Sequence, residues 1–154
     1  MPCARYATKS AGGSAGRHGG HECLCERLRL RGKPLQLLEL AAQGFIRLSI
    51  SDAIIQETIR VLGEKFEWEQ TALREVDASI RSIAEVVAPT QMVDVIKNDP
   101  PDNRVLECAQ EVNSDYIVSG DRYLLKLERF REIPIVRVGE FLKVSMANSH
   151  ITQP

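Results

Sequence analysis

Two short segments carry acids at positions where they could hold a metal. Asp99-Pro100-Pro101-Asp102-Asn103 is followed, nineteen positions after Asp102, by Ser119-Gly120-Asp121. In an α/β unit these are the two places where a metal-dependent site is usually built, a helix start and the carboxyl end of a strand. From Asp102 to Val112 the apolar residues Val105, Leu106, Ala109 and Val112 recur at helical spacing, which places the acid on the buried stripe in the first turn. Its carboxylate is expected to point at the sheet. Tyr116-Ile117-Val118 reads as a buried strand, with Gly120-Asp121 just past its end. Asp99 could serve as a spare ligand, but it reads rather as a residue that stabilises the turn.

The elements that must position these acids are legible in outline. Pro34 suits a helix start, and Leu37, Leu38, Leu40 and Ala41 form its apolar face before Gln43-Gly44. Phe45 to Ile50 alternates as a strand. Ser51 and Asp52 are capping residues for a helix with Ile54, Ile55, Thr58, Ile59 and Leu62 on one side and Glu57 in its middle. The spacing predicts a further helix from about Thr71 to Val87, a strand over Met92–Ile96, a short helix over Arg122–Leu127 and a last strand over Ile133–Val138, with Pro134 favouring an edge. Helices alternating with strands predict a three-layer α/β/α sandwich around a parallel sheet.

Composition narrows the function classes. At 154 residues and 44% hydrophobic content the chain suits one domain with a sizeable core. No apolar run approaches the roughly 18 to 20 residues that span a membrane. Residues 1–33 carry seven Lys/Arg and two Glu, while the remainder carries thirteen Lys/Arg and nineteen Asp/Glu, so a basic leader precedes an acidic body. Such a body is not a general polyanion binder, and nucleic-acid contact would have to be local and cation-assisted. The four cysteines show no disulfide pattern, which makes a reducing cytoplasm the default. Glycine-rich phosphate loops and dinucleotide fingerprints are absent from the sequence, which argues against a cofactor-binding regulator.

Three blocks together resemble the PIN-domain family, and more narrowly its prokaryotic toxins of toxin–antitoxin pairs. They are Gly32 to Leu40, Ser51 to Glu57, and Asp99 to Asn103 with Ser119-Gly120-Asp121, in the family's order over residues 32 to about 143. The resemblance implies a ribonuclease in which acids hold Mg²⁺ or Mn²⁺ and activate a water against an RNA phosphodiester. It implies Glu57, Asp102 and Asp121 as catalytic residues and metal ligands, with Ser119 as the hydroxyl residue that meets substrate. Where the family has a further acid two positions after Asp121, this chain has Tyr123. RNA and a cognate antitoxin protein are the implied partners; a homodimer stays open. Singly, Asp102 or Asp121 could be a helix cap and Glu57 a solvated acid; their joint order points to a site.

The leader departs from the rest. Residues 1–20 have no acid and no apolar periodicity, which predicts disorder, and the loss of residues 1–19 is expected to cost little stability. His18, His21, Cys23 and Cys25 do not have the spacing of a structural zinc site. The domain is bounded at residues 32–145, after a disordered or out-of-frame leader over 1–31 and before a tail over 146–154. The resemblance calls for an Asp-Thr-Asn motif at the end of a first strand, just before Gly32, and the chain has Gly20-His21-Glu22-Cys23-Leu24-Cys25-Glu26-Arg27 there. Codons permitted for these residues, GGA CAC GAA TGT CTT TGT GAG CGC, spell Asp-Thr-Asn-Val-Phe-Val-Ser-Ala when read one base later. A frame change near Arg31 would leave the domain with its first strand missing or altered and its leading acid absent.

Overall fold

Helix α1 (Lys33–Ala42) ends as its sequence requires. Gly44 takes φ 82°, a left-handed conformation that glycine adopts without strain. There the Phe45 N–H reaches back to the Leu40 carbonyl at 3.0 Å and the Gly44 N–H to Ala41 at 3.1 Å. The computed structural model describes residues 6–10 and 33–149 of the chain. The leader segments 1–5 and 11–32, with the two histidines, Cys23 and Cys25, lie outside the described residues, as do 150–154.

Strand β2 (Ile46–Ser51) leads directly into α2 (Asp52–Lys65), where Ser51 is the N-cap and its hydroxyl accepts from the Ile54 N–H at 3.4 Å. Helix α3 (Gln70–Ile83) is shorter than the expected Thr71–Val87. The chain turns extended at Ala84, and Glu85–Val87 becomes β3, parallel to β2 with Ile50 opposite Val86. Two adjacent β-branched valines fit a pleated edge better than a helix end, where each would lose rotamer freedom.

Beyond β3 the chain crosses as an irregular strap to a single 3₁₀ turn, Pro100–Asp102, and then α4 (Asn103–Glu111), β4 (Tyr116–Val118), α5 (Arg122–Leu127), β5 (Arg129–Phe130), β6 (Ile133–Val136) and α6 (Val138–Ser149). Met92–Ile96, expected as a strand, belongs to the strap. Its apolar residues Val93 and Ile96 are buried, yet its N–H groups are satisfied by side chains of α4 in place of a neighbouring strand. Helix α6 runs from Val138 to Ser149.

The sheet runs β3-β2-β1-β4-β6-β5, with β1 formed by Tyr6–Ser10. Pairs β2–β3 and β4–β6 are parallel, as expected of alternating helices and strands, whereas β1 runs antiparallel to both of its neighbours. Thr8 stands opposite Leu48 on one side and Tyr116 on the other. The expectation of a leader without order therefore fails for these five residues. Without them, β2 and β4 would face each other across a gap with their inner backbone groups unpaired, a cost that any strand in the gap relieves. The Pro134 strand β6 is flanked on its outer side by β5, so the edge position goes to a two-residue strand.

Helix α4 lies against β1, β2 and β4, and Val105, Leu106, Cys108 and Ala109 are fully buried on it. Burial, with smaller contributions from the Glu85 and Glu111 charges, pushes the Cys108 thiol up to about 12, so it behaves as a small apolar core residue. Deleting residues 1–10 is expected to lower the thermal unfolding midpoint by more than about 5 °C, on the order of 1 kcal/mol for a domain of this size. A midpoint that stays put would show that β1 contributes nothing to the sheet.

Candidate metal centre

Three carboxylates converge where the 3₁₀ turn, α4 and the β4–α5 turn meet. One oxygen each from Asp99, Asp102 and Asp121 lies within 4.8 Å of the others. Asp102 is fully buried, and its side chain makes no capping hydrogen bond to α4, so the simple N-cap explanation does not hold for it. Its placement follows from sequence: Pro100 and Pro101 open a 3₁₀ turn in which the Asp102 N–H donates to the Asp99 carbonyl at 3.0 Å. Asp99 precedes the turn as its N-cap, with φ −142° and ψ 80°, and the turn brings the two acids three residues apart close together.

Asp121 has a second job. Its Oδ1 accepts from the N–H groups of Tyr123 at 2.8 Å and Leu124 at 3.3 Å, capping α5. Ser119 is buried; its hydroxyl accepts from the Asp121 N–H at 3.0 Å, and its own N–H donates to the Val136 carbonyl at 3.0 Å, extending the β4–β6 pairing. The turn Ser119-Gly120-Asp121 is thus tied to the sheet at one end and to a helix at the other.

Glu57 is not in this group of three. It is half-buried on α2, and both its oxygens accept from Arg60, at 2.8 and 3.1 Å. Arg60 also reaches Glu64 at 2.6 Å, and its guanidinium is held even more firmly charged, first by its hydrogen bond to Glu57. An exposed pair of this kind is weakly held. The structure brings Asp102 and Asp121 together with Asp99, which the sequence offered as a spare ligand but favoured as a turn residue, and it adds Asn103, to which the sequence gave no role. The signal for Asp99 was its spacing of three from Asp102 across two prolines.

Asn103 follows Asp102 and is 1% exposed. Its Oδ1 accepts from the N–H groups of Val95 at 3.0 Å and Ile96 at 2.8 Å, while Nδ2 donates to the carbonyls of Ile96 at 2.9 Å and Pro100 at 3.0 Å. Both donors and both acceptor positions of the amide are used. Further along α4, Glu107 accepts from the Val93 N–H at 2.9 Å, and Glu111 from the Thr90 N–H and hydroxyl at 3.0 and 2.9 Å. Those Thr90 bonds, the backbone one foremost, hold the Glu111 carboxyl below the ordinary range.

A family model described as PIN domain matches residues 23–123. The chain belongs to the PIN-domain family. PIN domains are typically nucleases that generally use a divalent metal, and the three converging acids of this member could bind one. No curated protein and no solved structure matches the chain. Among the described residues no helix is long and apolar enough to cross a membrane.

Asp121→Ala removes a cap as well as an acid, whereas Asp121→Asn keeps an oxygen for the cap. In urea unfolding, the alanine variant is expected to lose about 1 kcal/mol and the asparagine variant much less. Equal losses would mean that Asp121 does not stabilise α5 through its cap.

Proposed function

We propose that this PIN domain is the scaffold of a divalent-metal ribonuclease, the toxin of a toxin–antitoxin pair, and that the chain as written has impaired activity. The observation that supports it is the convergence of Asp99, Asp102 and Asp121, with Asp102 fully buried. Crowded carboxylates repel one another, and a cation is what makes such a cluster favourable. Their donor set, all hard oxygen, suits Mg²⁺ or Mn²⁺.

Asp102 and Asp121 would hold the ion, Asp99 would add a third carboxylate, and Glu57 would join from α2 once released from Arg60. When bound, the ion supplies charge neutralisation at an RNA phosphodiester and a more acidic water. Ser119 holds the Asp121 turn beside the place where substrate would lie. A protein antitoxin is the partner that the toxin reading calls for.

Impairment follows from the leader. The peptide hidden one base out of register at Gly20 begins Asp-Thr-Asn and would supply the family's leading acid; we read the leader as a frame error. Sequencing the gene across codons 17 to 34 tests this, and codons unable to yield Asp-Thr-Asn in the shifted frame would sink it. A second reading, a catalytically inert module that binds RNA or an antitoxin, is favoured by one observation: β1, at the centre of the sheet, is Tyr-Ala-Thr-Lys-Ser and brings no carboxylate.

Two measurements separate these. Mn²⁺ at ten times its dissociation constant should stabilise the chain by about 1.4 kcal/mol, and this shift should vanish in Asp102→Asn. Single-stranded RNA should survive the chain as written, be cleaved when residues 20–31 are replaced by the shifted-frame peptide, and survive again when Asp102→Asn is added. Equal cleavage by original and repaired chains would show that the leading acid is dispensable. A repaired, folded chain that cleaves nothing would favour the inert module.

A further inference from the structure

Asp102 and Asp99 are held in different ways. Asp102 is buried at the start of α4, a helix packed against three strands. Asp99 is half-buried at the end of the strap, three residues after Ile96, and its carboxylate comes within 4.8 Å of two others. Like charges at that separation push apart, so a contact that fixes the end of the strap helps to keep Asp99 in place.

Asn103 makes that contact. On one side of Asp99 it bonds the Val95 and Ile96 N–H groups and the Ile96 carbonyl, and on the other it bonds the Pro100 carbonyl. The chain carrying Asp99 is therefore clasped on both sides by one side chain, adjacent in sequence to Asp102. Pro100 and Pro101 stiffen what remains, since their φ angles are fixed. Glu107 and Glu111 hold the strap too, but at Val93 and Thr90, further from the acids.

We propose that Asn103 is a positioning residue for the metal centre, fixing Asp99 against Asp102 by clasping the strap on both sides of Asp99. This rests on the three acids being a cation site. Asn103 would touch neither ion nor substrate; it sets how closely three carboxylates can be held before a cation arrives. Outer contacts of this sort commonly change metal affinity by 10 to 100-fold, on the order found for groups that orient metal ligands.

The test is Mn²⁺ binding by the full chain, read from the paramagnetic resonance signal of free Mn²⁺, for wild type, Asn103→Ala, Glu111→Ala, Asp99→Asn and the Asp99→Asn/Asn103→Ala double variant. Asn103→Ala should weaken binding by about tenfold or more. Glu111→Ala loosens the strap at its far end and should stay within about twofold of wild type, whereas a merely structural role would make both variants alike. If Asn103 works through Asp99, the double variant should bind as Asp99→Asn does, because the two changes remove the same interaction. Should the alanine variant not fold, Asn103→Ser, which keeps one acceptor and one donor, is held to the same criterion. Unchanged affinity in a folded Asn103 variant, or equal weakening in Glu111→Ala, overturns the proposal while leaving the site intact. Wild type that binds no Mn²⁺ overturns the site and this proposal together.

Discussion

One buried carboxylate, Asp102, sets the terms for this end of the molecule. A charge removed from water is costly unless its surroundings compensate, and here two further carboxylates stand within 4.8 Å of it. A sequence selected only for stability would fill such a position with an apolar residue, as Val105 and Leu106 do one turn later. The neighbouring structure reads as the means of keeping this carboxylate in place. Two prolines shape the turn that delivers it, Asn103 closes the strap beside it, and the Ser119–Asp121 turn brings in the opposing acid from β4.

The sheet shows the same dependence of one element on another. Helix α4 needs β1, β2 and β4 beneath it, so the centre of the sheet has to be filled for the acids to have a floor. Tyr6–Ser10 fills it in the antiparallel sense. Backbone hydrogen bonding is indifferent to side-chain identity, which is why a segment with no apolar periodicity can occupy the slot. What such a segment does not bring is an acid, since β1 is Tyr-Ala-Thr-Lys-Ser.

Much of the fold was legible because its signals were local and agreed with one another. The Ser51 cap, the Gly44 stop, the β4 tripeptide and the Arg122–Leu127 helix each stand where sequence put them. What escaped was decided by distant partners. Tyr6–Ser10 is a strand because β2 and β4 leave a place for it, Glu85–Val87 because β2 offers an edge, and Met92–Ile96 is a strap because Asn103 and Glu107 satisfy its backbone. At the site, spacing found the pair Asp102 and Asp121. Asp99 was ranked below them because an Asp before two prolines is also a good turn residue, and Glu57 stands with Arg60, a partner that only helical geometry selects.

The central claim is that Asp99, Asp102 and Asp121 form one cation site. The most direct measurement is anomalous X-ray scattering from crystals soaked in Mn²⁺ at a concentration well above its dissociation constant. The account predicts a single strong manganese peak within coordinating distance of carboxylate oxygens from all three residues, roughly 2.0 to 2.2 Å as for small hard divalent ions. Ordered crystals in which the three side chains are well defined, but with manganese bound elsewhere or nowhere, would contradict it.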